Sequence, residues 1–155
     1  MGNTPKSLFK LFAFAEAVSW TLLIAGIILR ATADLAIAVT IGGAIHGFVF
    51  LGYAATALLV AIHQRWSFPV AAAAVISAII PYATIPAEIW LNRSGRLEGH
   101  WKLTASEDPK DQRFVDRVMR WMLNHPFLLI AIAAIVVVGL YVSLLLIGPP
   151  GGSHS

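Results

Sequence analysis

The sequence predicts an all-α fold, a polytopic membrane bundle of four transmembrane helices with an amphipathic helix in its long third loop. Three observations carry that expectation. Of 155 residues, 58% are hydrophobic and 12% charged, about half the ~25% charged share of an ordinary soluble domain. The apolar residues gather in long blocks of about 20 or more, enough to cross ~30 Å of hydrocarbon at ~1.5 Å per residue. None of the blocks alternates with the period of two that a membrane β-strand needs.

The first block, LFKLFAFAEAVSWTLLIAGIIL, covers 8–29. It is too long for the apolar core of a cleaved signal peptide and reads as a retained span. Gly2 is present, but Lys6 stands where a myristoylation signal wants Ser or Thr. The second span lies within 35–62, the third is FPVAAAAVISAIIPYATIPAEIWL at 68–91, and the fourth is 127–147. The short connections ATAD and HQRWS make the first three helices antiparallel neighbours. The expected organisation is a three-helix membrane domain (1–95), a polar loop (96–126), the fourth helix (127–147) and a disordered tail (148–155).

The polar stretch 92–126 holds seven of the eleven basic residues and five of the eight acidic ones. Within it, DPKDQRFVDRVMRWMLN predicts a short amphipathic helix, capped by Asp108 with Pro109 at its first position. Phe114, Val118, Trp121 and Met122 share one side. Arg113, Arg117 and Arg120 face mostly elsewhere. Such a helix either lies on phospholipid, with the arginines near headgroups and Trp121 at the interface, or packs on the bundle as a solvated helix.

Four spans put both termini on one side. The positive-inside rule then places the long loop in the cytoplasm and both termini outside, although Lys6 and Lys10 pull the first helix the other way. Few basic residues, most of them at block ends, give no reason to expect nucleic acid. The absence of cysteine excludes disulfides and thiolate chemistry.

Glu16, His46 and Glu88 are ionisable residues inside apolar blocks. A charge in hydrocarbon costs at least a few kcal/mol, so each should face protein or a polar cavity. The first turn centres near residue 32, with Glu16 sixteen residues before it and His46 fourteen after. In antiparallel helices their depths differ by only about 3 Å. A Glu16–His46 contact is therefore feasible, as structural glue between helices, as a contact to a ligand or partner, or as part of a proton relay, for which Ser19, Thr21 and Thr40 are a thin supply of further polar steps. Gly43 and Gly47 form a GxxxG pair that lets another backbone approach, and Gly52, on a different azimuth, leaves room for a bulky ring or lipid. Pro81 and Pro86 should bend the third helix. Glu88, near that helix's end, is expected on the same side of the membrane as Arg30, Asp34 and Arg93, with interfacial solvation or an Arg partner. No second deep histidine accompanies His46 for haem, and HExxH, P-loop and dinucleotide patterns are absent. No cofactor, metal or enzymatic activity is expected.

The elements AEAVSW at 15–20, GGAIHGFVFLGY at 42–53 and IPYATIPAEIW at 80–90 resemble a bacterial family of small integral membrane proteins, defined by domain of unknown function 3817. Glu16, Gly43, His46, Gly47, Tyr53 and Pro81 match that pattern over roughly residues 8–95, while Ala17 replaces a usual glycine. The resemblance implies a bacterial plasma-membrane protein. It further implies an actinobacterial accessory subunit packed against other integral membrane subunits, those of a cytochrome bc–oxidase supercomplex. The competing expectation is a small oligomeric transporter or proton-conducting protein using Glu16 and His46.

Overall fold

The computed structural model describes residues 4–148. The expected tail at 148–155 falls, apart from Gly148, outside the described residues. Three helices are long and apolar enough to cross a bilayer: α1 (Pro5–Ala33), α2 (Ala36–His63) and α6 (Pro126–Ile147). Thr4 caps α1, where its side chain and that of Ser7 satisfy each other's backbone N–H groups. Asp34, in the left-handed region at φ 53°, ends α1, and α2 begins two residues later.

The α1–α2 pair is antiparallel with a constant register. Gly26 lies on Ala38 and Val39, Gly42 on Leu22 and Leu23, and Gly52 on Phe12. Phe9 meets Tyr53 edge-on, with ring centroids 5.5 Å apart. Without side chains, Gly26 and Gly42 let the two backbones touch, so van der Waals contact holds helices that lipid does not push together.

The third apolar block does not make a fourth traverse. Its first half is α3 (Phe68–Ile76), favoured by the run Ala71–Ala74. A 3₁₀ turn at Ser77–Ile79 tightens the end of α3. Ile80 is then extended, as the residue before a proline must be. Tyr82 has φ 63°, and the chain re-enters a helix as α4 (Thr84–Arg93). Pro86 sits in the first turn of α4, where no backbone donor is required.

Hydrogen bonds fix the direction of each limb. Trp20 Nε1 donates to the Ala78 carbonyl at 3.1 Å, and the Thr21 and Tyr82 hydroxyls are 3.0 Å apart. Two residues further on, Thr84 Oγ1 donates to the Ala13 carbonyl at 3.0 Å. The chain has therefore turned back along α1. By residue 96 it is again beside the end of α2, where Trp66 Nε1 donates to the Arg96 carbonyl at 3.0 Å. Helices α3 and α4 form a re-entrant hairpin whose tip reaches the middle of α1. Pro81 marks a reversal, not a bend. Glu88 accordingly lies in the returning limb, on the half of the bundle near Arg65, and not beside Arg30 and Asp34.

Helix α6 runs antiparallel to α2. Tyr141 packs on Gly47 and Phe48, and the later Leu144 and Leu145 line a groove with the earlier Thr40 and Gly43. Val137 alone in α6 is buried. With three traverses, Pro5 and Ile147 lie on opposite faces, which corrects the expectation that both termini share one side. The face holding Pro5, the α2–α3 turn and residues 94–125 is called here the loop face.

On the loop face, Asp108 caps a 3₁₀ turn (Pro109–Gln112) rather than the expected longer helix. The α-helix of this segment is α5 (Phe114–Leu123). Phe114, Val118 and Trp121 are exposed along it. The core proper gathers Phe9, Ala13, Tyr53, Val60, Ala74, Ala78, Leu91 and Leu97 between α1, α2 and the hairpin.

Candidate functional site

The polar centre of the bundle forms where the hairpin tip meets the middle of α1 and α2. Glu16 is fully buried (0% exposed). Ser19, one turn along α1, places its hydroxyl 3.1 Å from Glu16 Oε2, 2.8 Å from the Glu16 carbonyl and 2.9 Å from His46 Nδ1 on α2. Glu16 Oε1 makes no hydrogen bond among the described residues and stands 3.7 Å from His46 Nδ1. The imidazole packs on Trp20, with centroids 4.3 Å apart, and on Phe50 at 6.2 Å. A buried carboxyl is tolerated only with such compensation.

The other predicted residues surround this centre in different ways. Tyr53 is buried, and its hydroxyl meets the Ala74 carbonyl and Ser77 Oγ, each at 3.0 Å, pinning α3 to α2. Gly52 faces the Phe12 ring closely enough that an added Cβ would stand 2.8 Å from it. The expected GxxxG pair divides its work. Gly47 supports Tyr141 of α6, whereas the nearest atom to a Cβ on Gly43 is Leu23 Cδ1 at 3.8 Å. Both line an apolar groove of about 290 Å³ between α2 and α6. The tight α1–α2 contacts belong to Gly26 and Gly42, which the GxxxG spacing did not single out. Pro81 sits at the exposed hairpin tip.

A second polar cluster ties the long loop to the loop face. Arg65, held at φ 53° in the α2–α3 turn, sends Nη2 to Asp111 Oδ1 at 2.6 Å and to Asp116 Oδ1 at 3.1 Å. Asp111 is buried and accepts from both the Ser106 hydroxyl and the Ser106 N–H. These Ser106 bonds, and then the Arg65 guanidinium, hold its carboxyl well below the usual carboxylate range. His63 Nε2 accepts from the Lys102 N–H at 2.9 Å. Arg120 turns toward the protein, donating to the Asp111 carbonyl at 2.7 Å. That leaves Arg113 and Arg117 beside Trp121 on the exposed side of α5. Arg65, Ser106 and Asp111 form a cluster that no sequence spacing announces, because forty residues separate Arg65 from Ser106. Among the described residues, no group of three or more His, Asp or Glu side chains is placed to hold a metal ion.

The profile of one protein family, described as a domain of unknown function (DUF3817), matches residues 6–93. That stretch is more than half the chain and contains α1, α2 and the hairpin. The chain belongs to this family. Its family portion is thus the α1–α2 pair with the hairpin and the Glu16–Ser19–His46 centre, and α5 and α6 lie beyond it. The chain is also 36% identical over 91 residues to a protein of Streptomyces coelicolor that carries the name of a membrane protein. The match covers 57% of this chain and only 11% of that relative's length. No solved structure is significantly similar. Together with the three long apolar helices, these matches make the chain a multi-pass protein of the bacterial plasma membrane.

Proposed function

We propose that this family member is a non-catalytic accessory or assembly subunit of a larger membrane complex, and that a partner's transmembrane helix packs over its hairpin tip. One observation carries the reading. Pro81 and Tyr82 are exposed at mid-bundle depth, and neither the Tyr82 N–H nor the Pro81 carbonyl makes a hydrogen bond among the described residues. Irregular backbone at membrane depth persists only against protein or around a water-filled cavity. Ile79 and Ile80 beside it are also exposed, which favours an apolar helix over a wet cavity as the cover. The Streptomyces relative supports the same reading, because there the matching domain is a small part of a much longer chain.

The sequence resemblance makes the cytochrome bc and cytochrome oxidase subunits the first partners to test. Phospholipid is the proposed second neighbour. Phe114, Val118 and Trp121 are turned outward on α5, with Arg113 and Arg117 beside them, as in helices that lie among headgroups. The test is a photo-crosslinking residue at Ile80, activated in native membranes before mild-detergent purification and mass spectrometry. The expected product joins Ile80 to a helix of another membrane subunit present in stoichiometric amount, respiratory subunits among them. Crosslinks to lipid alone, or only to a second copy of this chain, overturn the accessory reading. The self-crosslink would favour an oligomeric transporter.

A further inference from the structure

The Glu16–Ser19–His46 centre has one more property than a helix lock requires. Ser19 Oγ carries a single hydrogen, yet it lies within hydrogen-bond distance of the Glu16 main-chain carbonyl, Glu16 Oε2 and His46 Nδ1 at once. With that hydrogen on the Glu16 carbonyl the hydroxyl only accepts from the two side chains; swung off the carbonyl, it allows two further proton arrangements on the same heavy-atom positions. In one, a protonated Glu16 Oε2 donates to Ser19 Oγ, and the Ser19 hydroxyl donates to an unprotonated His46 Nδ1. In the other, His46 Nδ1–H donates to Ser19 Oγ, and the Ser19 hydroxyl donates to a Glu16 carboxylate.

We propose that Glu16, Ser19 and His46 are a proton-transfer site, in which a proton passes between carboxyl and imidazole through the Ser19 hydroxyl. The balance is simple. The Glu16 Oε2–H bond breaks as its proton joins Ser19 Oγ, and the Ser19 O–H bond breaks as that proton joins His46 Nδ1. The serine is regenerated, no electrons are transferred, and a neutral pair becomes a carboxylate–imidazolium pair.

The surroundings suit both states. Glu16 Oε1, fully buried and without a hydrogen-bond partner among the described residues, stands 3.7 Å from His46 Nδ1. It is idle in the neutral arrangement and becomes the counter-charge in the ionic one. The Trp20 ring, tilted by 48° with its centroid 4.3 Å away, is within the range at which a ring attracts a cation. The His46 side chain is 13% exposed, so the site has one outlet, on the imidazole, while Glu16 is sealed. Competing groups are few. From α2, Tyr53 has its hydroxyl committed to Ala74 and Ser77. The hairpin offers that Ser77 hydroxyl and, further along its returning limb, Glu88. From α6, Tyr141 packs on Gly47.

The experiment uses the full chain in lipid nanodiscs. Infrared difference spectra across pH follow the carboxylic C=O band, assigned to Glu16 by its loss in Glu16→Gln. Nitrogen-15 NMR follows His46. The expected result is that Ser19→Ala moves the midpoint of the Glu16 band by about one pH unit, tenfold in its protonation equilibrium, and uncouples it from His46. Ser19→Thr, which keeps the hydroxyl, restores the wild-type midpoint. If Ser19→Ala only lowers the melting temperature while the Glu16 and His46 titrations stay as in the wild type, the centre is a structural lock and the proposal fails. Absence of any Glu16 carboxylic band in the wild type overturns it as well.

Discussion

At Gly42, the presence or absence of one methyl group decides whether α1 and α2 can touch. A Cβ there would lie 2.7 Å from the Leu22 carbonyl oxygen and 3.1 Å from Leu23 Cα. Both are backbone atoms of a long helix and cannot swing aside. Gly42→Ala should therefore cost about 1–3 kcal/mol, the range for overpacking a filled contact. The neighbouring Gly43→Ala, whose nearest atom is a leucine methyl at 3.8 Å, should be near neutral. Thermal unfolding in detergent measures both, and equal melting temperatures for the two variants would contradict this packing. The sequence points to Gly43 and Gly47 because spacing reveals which glycines share a stripe. It does not reveal which stripe meets which helix, so Gly42 and Gly26 stay hidden. The depth argument for Glu16 and His46 fares differently. It rests on counting from a short turn, and the register is indeed constant from Gly26 to Phe9. Ser19 is legible only as a polar neighbour of Glu16, because sequence spacing does not show that its hydroxyl also reaches His46 on α2.

The long loop shows what an element gains from one buried carboxylate. Asp111 joins Ser106, Arg65 and, through its carbonyl, Arg120, so α5 and the loop before it are held against the α2–α3 turn. Its folded-state pKa is lowered. Its contribution to docking is thus complete above the ordinary Asp pKa of about 3.9 and is lost as the pH falls from there through the lowered value. Hydrogen exchange over residues 101–113 should stay slow down to about pH 4 and accelerate only below it. Asp111→Asn should loosen the loop already at neutral pH and remove that acid dependence. Unchanged exchange in Asp111→Asn would show that the loop docks by other contacts. The other element-scale surprise is the hairpin. A block of 24 residues, most of them apolar, satisfies the length of a span, and length carries no direction. The signal lay in Pro81 and Pro86, which the sequence reads only as bends. Pro81 forces Ile80 to be extended, and Pro86 sits where a helix can start, so together they specify a stop and a restart.

For the molecule as a whole, the hairpin settles a conflict in the charges. Four traverses set Lys6, Lys10 and Arg65 against Arg30 and the seven basic residues of 92–126, so the first helix and the long loop gave opposite orientations. With α3 and α4 returning to the face they left, Lys6, Lys10, Arg65 and all seven loop residues lie on one face, and Arg30 alone lies on the other. The positive-inside rule then has one answer, with the loop face in the cytoplasm and the Arg30 turn and the end of α6 outside. The absence of native cysteine makes the test direct. Single substitutions Thr4→Cys, Thr104→Cys and Thr32→Cys are treated in intact cells, with a membrane-impermeant maleimide reaching only the outer surface. Thr32→Cys should label, while Thr4→Cys and Thr104→Cys should label only after the cells are opened. A four-span chain would instead place Thr32 and Thr104 on one side and Thr4 on the other. Thr104→Cys labelling together with Thr32→Cys would therefore rule out the re-entrant hairpin, and with it the exposed tip on which the accessory reading stands.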